Sequence, residues 1–317
     1  MNRIACAIGA TLAVAAAVTA PAHAAPSFTD IIDPLNPTFT QALGINNAGT
    51  IVGYGNGTIF NGFELTGGTF TRQNVGGADG GTQVVGVSGS GTTVGFSITG
   101  GITSGFTQSG GTFTTVNQGG TAFTQLLGIN QAGSEIAGYS SAIVSGLTGQ
   151  VAFSLVGTTF SAIPLPANNN SQATGVNNAG TVVGFYQLNP NPTNTPIFDG
   201  FVDSNGSVST LVFPGAVSTQ ALGINNLGQI VGDYVDGAGV MHGFLDANGL
   251  FITLDPNGST ATTLNGINDQ GQFVGFYVSA TGNTIGTVGT APEPASLLLL
   301  GAGLAGLGAA RWRRTTR

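Results

Sequence analysis

The phrase GINNAGTIVG, residues Gly44–Gly53, recurs along this chain and decides its fold. Related phrases follow, one of them degraded: GVSGSGTTVG from Gly86, GINQAGSEIAG from Gly128, GVNNAGTVVG from Gly175, GINNLGQIVG from Gly223 and GINDQGQFVG from Gly266. Successive copies begin 42, 42, 47, 48 and 43 residues apart. Self-similarity at that period predicts stacked supersecondary units that share one pattern.

Each period contains two predicted hairpins, which the fifth unit shows most clearly. Gly228 and Gly249 stand where the two hairpin turns need a left-handed residue. The four short β-rich runs of this unit are Gln220–Asn225, Gln229–Tyr234, His242–Asp246 and Leu250–Leu254. Four strands in about 43 residues is the dimension of one β-propeller blade.

The two ends of the repeat array complement each other. The last unit contains the run Phe276–Val278 and one weaker strand, Asn283–Val288, but lacks a fourth strand. At the other end, Phe28–Pro34 matches the fourth-strand phrase Phe251–Pro256. We therefore predict an all-β, six-bladed propeller in which the N-terminal strand completes the sixth blade.

Two other all-β architectures compete with the propeller. A β-solenoid with about 21 residues per coil is the main alternative, although the turns resemble hairpin turns more than coil corners. An outer-membrane barrel needs strict apolar and polar alternation over strands of about ten residues. The runs in this chain, such as Val182–Tyr186, are shorter and apolar on both faces.

Composition limits the classes of partner. The chain has 317 residues, 54 of them glycine, and it contains no lysine. Residues 25–290 carry twelve acidic residues and one basic residue, Arg72, which gives a net charge of −11. Such a surface repels nucleic acid and anionic membranes. The single cysteine, Cys6, precedes this region, so residues 25–290 can form no disulfide.

Residues 1–24 have the pattern of a secretory signal peptide. Arg3 provides the positive start, Ile4–Ala20 is apolar, and Ala22–Ala24 is a small-x-small cleavage site that places cleavage after Ala24. An uncleaved N-terminal anchor is the alternative. The predicted domains are thus the signal peptide 1–24, the six-repeat β domain 25–290 and a C-terminal segment 291–317.

The C-terminal segment has three parts in a fixed order. A Pro-Glu-Pro motif precedes the uncharged run Leu297–Ala310, which is short for a permanent membrane span. A basic tail follows. The motif residues are Pro292, Glu293 and Pro294, and the basic residues include Arg311, Arg313 and Arg314. A chance Pro-Glu-Pro before a tail anchor is the alternative.

This order resembles the PEP-CTERM sorting signal of Gram-negative bacteria. The resemblance implies export, transient contact with the inner membrane and recognition by an exosortase that removes the tail. It also implies delivery to the cell surface or to an exopolysaccharide matrix. The implied partners are the exosortase-type sorting machinery and either a matrix polysaccharide or another surface protein.

The repeats also resemble the HAF family of extracellular repeats. The phrases that carry this resemblance are Gly223–Asn225 and His242–Leu245. Only the fifth unit has the histidine, and the other units have Asn61, Ser104, Val151 and Asp199 at that position. The resemblance implies an exported repeat protein and supplies no catalytic residues.

Few residue types suited to catalysis or metal binding occur in residues 25–290. His242 is the one histidine there, and we interpret it as a repeat-position residue rather than a general base. One histidine without cysteine cannot build the common zinc sites, so we expect no metal and no cofactor. Asp203–Gly206 and Asp246–Gly249 resemble the start of a calcium loop but suit hairpin turns better.

The asparagine of each Gly-Ile-Asn phrase is predicted to satisfy backbone groups of its turn. These residues are Asn46, Asn130, Asn177, Asn225 and Asn268.

Insertions indicate where a ligand would bind. The connection between the second and third strands is longest in units three and four, and insertions on one face of a repeat array often mark a binding face. The candidate ligand-binding residues there are Tyr139, Tyr186, Asn189, Asn191, Asn194 and Asp199. Aromatic rings and amides suit a neutral glycan.

The leading functional prediction is a non-catalytic, exported surface or matrix protein. The alternative is a glycan-cleaving hydrolase in which Asp199 acts with Asp233 or Asp236. A purely structural secreted protein is a third possibility.

Overall fold

The computed structural model describes residues 26–119, 123–141, 149–165, 170–188 and 196–291. The predicted processing residues lie outside these ranges, as do Asn189, Asn191 and Asn194. The described ranges form twenty-four β-strands and no helix. Within them there is accordingly no helix with the length and hydropathy needed to cross a membrane.

The strands of the first half follow the hairpin pattern predicted from the repeats. In chain order they are β1 (Ser27–Ile31), β2 (Thr40–Ile45), β3 (Ile51–Asn56), β4 (Phe60–Thr66), β5 (Thr69–Arg72), β6 (Gly81–Val87), β7 (Thr93–Thr99), β8 (Ile102–Ser109), β9 (Thr112–Val116), β10 (Thr124–Ile129), β11 (Glu135–Ser140), β12 (Val151–Val156) and β13 (Thr159–Ala162).

The second half repeats the arrangement. Its strands are β14 (Ser171–Val176), β15 (Thr181–Gln187), β16 (Phe198–Ser204), β17 (Ser207–Leu211), β18 (Ser218–Ile224), β19 (Gln229–Val235), β20 (Met241–Ala247), β21 (Leu250–Thr253), β22 (Ser259–Ile267), β23 (Gln272–Ser279) and β24 (Thr284–Thr290).

Each repeat folds as four antiparallel strands. The sets β10–β13, β14–β17 and β18–β21 are separate four-stranded sheets, and one parallel bridge from Phe60 to Gly81 joins β2–β5 to β6–β9. The last set has the order β1-β24-β23-β22, in which Ser27 pairs with Thr290. The N-terminal strand thus occupies the position predicted for it. Antiparallel pairing within each set confirms the propeller class and contradicts the solenoid alternative, whose coils would pair in parallel.

The first strands of all six repeats meet through the glycines of the repeated phrase, which we call the glycine ring. An ideal Cβ on each glycine would lie only 3.0–3.3 Å from the Cα of the glycine in the next repeat. The contacts run from Gly44 to Gly86, Gly128, Gly175, Gly223 and Gly266, and from Gly266 to Gly44. Glycine is therefore required here because the backbones approach too closely to admit a side chain.

A second packing rule explains the glycine of each second strand. In five repeats the phenylalanine of the third strand lies against this glycine, and its ring comes within 2.7–3.0 Å of where a Cβ would stand. These phenylalanines are at most 2% exposed: Phe63, Phe106, Phe153, Phe201 and Phe244. Burial of each ring contributes roughly 1.5–3 kcal/mol.

The repeated asparagines act both within and between repeats. Asn225 Oδ1 accepts hydrogen bonds from the N–H groups of Leu227 and Gln229, at 3.1 and 2.9 Å. Its Nδ2 donates to the carbonyl oxygen of Asn268 in the next repeat, at 3.0 Å. The predicted turn role is confirmed. The sequence analysis missed the bond between repeats, which Asn46, Asn130, Asn177 and Asn268 also make.

The second repeat has a serine at this position and provides a natural comparison. Ser88 Oγ accepts a hydrogen bond from Thr92 N at 3.1 Å, so it caps the turn without an amide to reach the next repeat.

We expect Asn225→Ala to lower the free energy of unfolding by about 2–3 kcal/mol, because buried backbone groups lose their partners. Asn225→Ser should lower the free energy of unfolding by about half as much. Urea unfolding of the two variants measures the difference, and equal losses would contradict a separate contribution from the bond between repeats.

Candidate functional site in the central channel

The first strands enclose a cavity of about 500 Å³ on the propeller axis. Five repeats present a glutamine to it, three residues before the glycine of the repeated phrase, and the sixth repeat presents Thr263. We call this set the glutamine ring: Gln41, Gln83, Gln125, Gln172 and Gln220, with Thr263. Amide groups from five directions therefore surround one space.

The channel is wide at the glutamine ring and narrow at the glycine ring. Residues two positions further along the first strands line its middle, where Leu43 and Leu127 are apolar and Thr174 and Asn265 are polar. Only about 60 Å³ remains beside the glycines. Gln41 pairs with Tyr54 near the end of β3. The wide end thus lies on the side where the second and third strands connect, which is also the side of the predicted insertions.

Aromatic residues stand beside the glutamine ring. The residue after the second-strand glycine is aromatic in five repeats: Tyr54, Phe96, Tyr139, Phe185 and Phe276. Four of them line the cavity, and Tyr139 Oη donates to Gln125 Oε1 at 2.8 Å. In the fifth repeat this position is Asp233, which pairs with Gln220 across β18 and β19. A carboxyl group thus replaces one ring in an otherwise aromatic set.

Asp233 is almost completely enclosed. It is 4% exposed, and burial raises its pKa to about 7, while a hydrogen bond from Thr263 opposes that rise. Asn265, on the same strand as Thr263, also lines the cavity, and its Oδ1 is buried without a hydrogen-bond partner. One buried carboxyl group and one buried acceptor without a partner therefore both line the channel.

The residues predicted from the insertions lie in two different environments. Tyr139 reaches the glutamine ring, as described above. Tyr186 is 7% exposed, packs among apolar residues between the third and fourth repeats, and shares a hydrogen bond with Thr210. Asp199 pairs with Tyr186 across β15 and β16, and partial burial raises its pKa. Asp199 is not among the described residues that line the channel cavity.

His242 lies between two carboxylates on the outer part of the fifth repeat. Its Nδ1 is 2.7 Å from Asp255 Oδ2, its Nε2 is 3.5 Å from Asp236 Oδ2, and its ring stacks on Tyr234. The hydrogen bond to Asp255 raises the pKa of His242 above its usual value. In the described ranges, no three histidine, cysteine or acidic residues are placed to hold a metal ion.

The two calcium-like sequences form hairpin turns. Asp203 Oδ1 accepts from Gly206 N at 2.7 Å, and Asp246 Oδ1 accepts from Gly249 N at 2.6 Å. Asn205 and Asn248 have φ of 54° and 57°. The hairpin interpretation of these residues is confirmed, since asparagine tolerates this left-handed conformation better than most residues.

Sequence analysis missed the glutamine ring. A usable signal was present, because a glutamine precedes the phrase glycine by three residues in five of the six copies. The period-2 geometry of a strand would have placed these glutamines on the face shared by Leu43 and its equivalents. The sixth copy, with Thr263, breaks the pattern.

The C-terminal segment matches a known sequence motif. Residues 290–314 match the PEP-CTERM protein-sorting motif. The predicted sorting signal is confirmed. The motif marks an exported protein of Gram-negative bacteria that exosortase-type machinery recognises. It covers a small part of the chain and leaves the function of the repeats open.

Solved structures resemble the repeat domain in fold. AofleA from Arthrobotrys oligospora is 11% identical, with a TM-score of 0.52 over 83% of this chain and 86% of its own. A lectin from Aleuria aurantia in complex with Fucα1-6GlcNAc is 12% identical, with a TM-score of 0.50 over 81% and 97%. The β-propeller domain of the Trilobed protease from Pyrococcus furiosus is 7% identical, with a TM-score of 0.46 over 79% and 93%. Among curated proteins, none matches this sequence.

Proposed function

We propose that this protein is an exported, non-catalytic six-bladed propeller of the cell surface or exopolysaccharide matrix. Its N-terminal strand closes the ring, and the wide end of its channel binds a matrix polysaccharide or another surface protein. The observation that carries the proposal is the glutamine ring beside four aromatic residues in a cavity of about 500 Å³. The sorting motif supports export of the protein, and the resemblance to HAF extracellular repeats agrees with that location.

The chemistry of the cavity suits sugars. A glutamine side chain offers both donors and an acceptor, which match the hydroxyl groups of a glycan. Aromatic rings supply an apolar surface for the C–H face of a sugar, and ligand sites commonly combine such walls with a few polar groups. The residues predicted from the insertions, Tyr139, Tyr186, Asn189, Asn191 and Asp199, stay candidates for contacts with a longer glycan chain.

The hydrolase alternative has less support. A glycosidase needs two carboxyl groups on either side of one bond, about 5–9.5 Å apart. Asp233 lines the cavity, whereas Asp199 stands beside Tyr186 and Asp236 lies in a turn, where its Oδ1 accepts from Ala238 N and Val240 N. The three predicted acids thus occupy three different settings in the fold.

Retention of the producing organism's own matrix polysaccharide tests the proposal. The immobilised exported protein should retain it, and the double variant Gln83→Ala/Gln220→Ala should weaken retention about tenfold, which corresponds to about 1.4 kcal/mol. Gln270→Ala is the matched control, because Gln270 is exposed in the turn between β22 and β23, at the opposite end of the sheet.

An assay of new reducing ends in the same samples separates binding from cleavage. We expect none. New ends that vanish in Asp199→Asn or Asp233→Asn would overturn the non-catalytic proposal and favour the hydrolase.

A further inference from the structure

We propose that the channel binds the protonated primary amine of an amino sugar, with Asp233 and Asn265 as hydrogen-bond acceptors. This inference rests on the proposed binding role of the channel and names the chemical class of its ligand.

Few basic residues occur between residues 26 and 291. Between residues 26 and 291 the only arginine is Arg72 and the only histidine is His242, and there is no lysine. Arg72 is bonded to Asp33, and His242 faces Asp255 and Asp236. No basic residue is among the described residues that line the cavity. Asp233 thus has no basic partner among these lining residues, and a bound cation would favour its ionised form over the neutral form that burial favours.

The hydrogen-bond acceptors of the cavity also favour an ammonium group. Asn265 Oδ1 is a buried acceptor without a donor, although buried polar atoms in proteins nearly always have one. Asp233 adds carboxylate oxygens to the lining of the same cavity, and an ammonium group, which has only donors, needs such acceptors as partners. A primary ammonium has three N–H donors, which match the acceptors in this lining: the Asp233 carboxylate, the Asn265 amide oxygen and the amide oxygens of the glutamine ring.

The aromatic residues of the cavity lining favour an organic cation over a bare metal ion. Tyr54, Phe96, Phe185 and Phe276 line the cavity, and the faces of aromatic rings attract cations. A bare metal ion would find no cluster of three suitable ligands in the described part of the chain. A cavity of about 500 Å³ lies within the usual size of small-molecule sites. An amino sugar combines the ammonium with hydroxyl groups for the glutamines.

Titration calorimetry on the exported full-length protein tests this inference. Glucosamine should bind, and N-acetylglucosamine, which keeps the ring but lacks the charge, should bind at least about tenfold more weakly. Asp233→Asn should weaken glucosamine binding by at least about tenfold, and Asn265→Leu should weaken it as well. Equal affinities for the two sugars, or unchanged affinity in Asp233→Asn, would overturn the inference.

Controls separate charge from folding and one source of amine from another. Asp79→Asn removes the same formal charge from an exposed turn and should leave glucosamine binding unchanged. Putrescine tests the source: weaker binding than glucosamine supports an amino sugar, and stronger binding overturns the sugar assignment. Retention of matrix polysaccharide without any glucosamine binding would refute this inference alone, whereas loss of both would refute the proposed function too.

Discussion

Replacing Gly232 by alanine should lower the free energy of unfolding by at least about 3 kcal/mol, at or above the upper end of the usual cost of overpacking. A Cβ at this position would stand 2.0 Å from the carbonyl oxygen of Gln220 and 2.8 Å from the Phe244 ring. Gln220 belongs to the adjacent strand of the sheet, and Phe244 is completely buried. Neither neighbour can move without disrupting a packed element, so a side chain at this position would remain strained.

Thermal unfolding measures this effect, which corresponds to a fall in Tm of roughly 6–12 °C for a domain of this size. Gly237→Ala is the matched control in the same repeat, because no atom lies within 4 Å of its ideal Cβ and its φ is not in the left-handed region. That change should alter stability by no more than about 0.5 kcal/mol. Similar melting temperatures for the two variants would contradict the close approach of the strands around Gly232.

Replacing Arg72 by methionine should lower the free energy of unfolding by about 3–5 kcal/mol, because it leaves a buried carboxylate without its charge partner. Asp33 is 0% exposed, and Arg72 Nη1 donates to its Oδ2 at 2.8 Å. The pair joins β5 of the first repeat to the segment that follows β1 in the last repeat. Equilibrium denaturation measures the loss, and Asp33→Asn/Arg72→Met should recover a large part of it.

The pH dependence gives an independent check on this ion pair. Burial alone would raise the pKa of Asp33, but hydrogen bonds from Arg72, Asn36 and Leu35 N outweigh burial and hold that pKa below its usual value. The ionised pair therefore stabilises the protein above the ordinary aspartate pKa, and this contribution is lost as the pH falls through the lowered value. Arg72→Met should lose this dependence on acid pH. A variant with unchanged stability at neutral pH would show that the pair contributes little.

Much of the fold could be predicted because it depends on local patterns. Gly228 has φ of 78°, as a hairpin turn of this kind requires, and the likeness of Phe28–Pro34 to Phe251–Pro256 placed β1 beside β24. The asparagine of each Gly-Ile-Asn phrase caps its own turn, a contact over two to four residues that sequence spacing determines. Such features follow from backbone geometry over short distances.

The candidate site could be predicted only in part. Tyr139 was singled out and does reach the glutamine ring, yet the same argument also selected Tyr186, which packs between two repeats. The two tyrosines differ by one position relative to the second-strand glycine, and one residue is enough to move a side chain to the opposite face of a strand. Insertion length could not show this difference.

The sequence by itself determined the period, the hairpins, the place of the first strand, the acidic balance and the sorting signal. Only the tertiary structure decided that glutamines about 42 to 48 residues apart surround one cavity, and that Asp233 replaces an aromatic ring in its wall. The reason is physical. Turns and strands are set by neighbouring residues, whereas a shared cavity and the raised pKa of Asp233 arise from desolvation by strands that are distant in sequence and meet only in the folded ring.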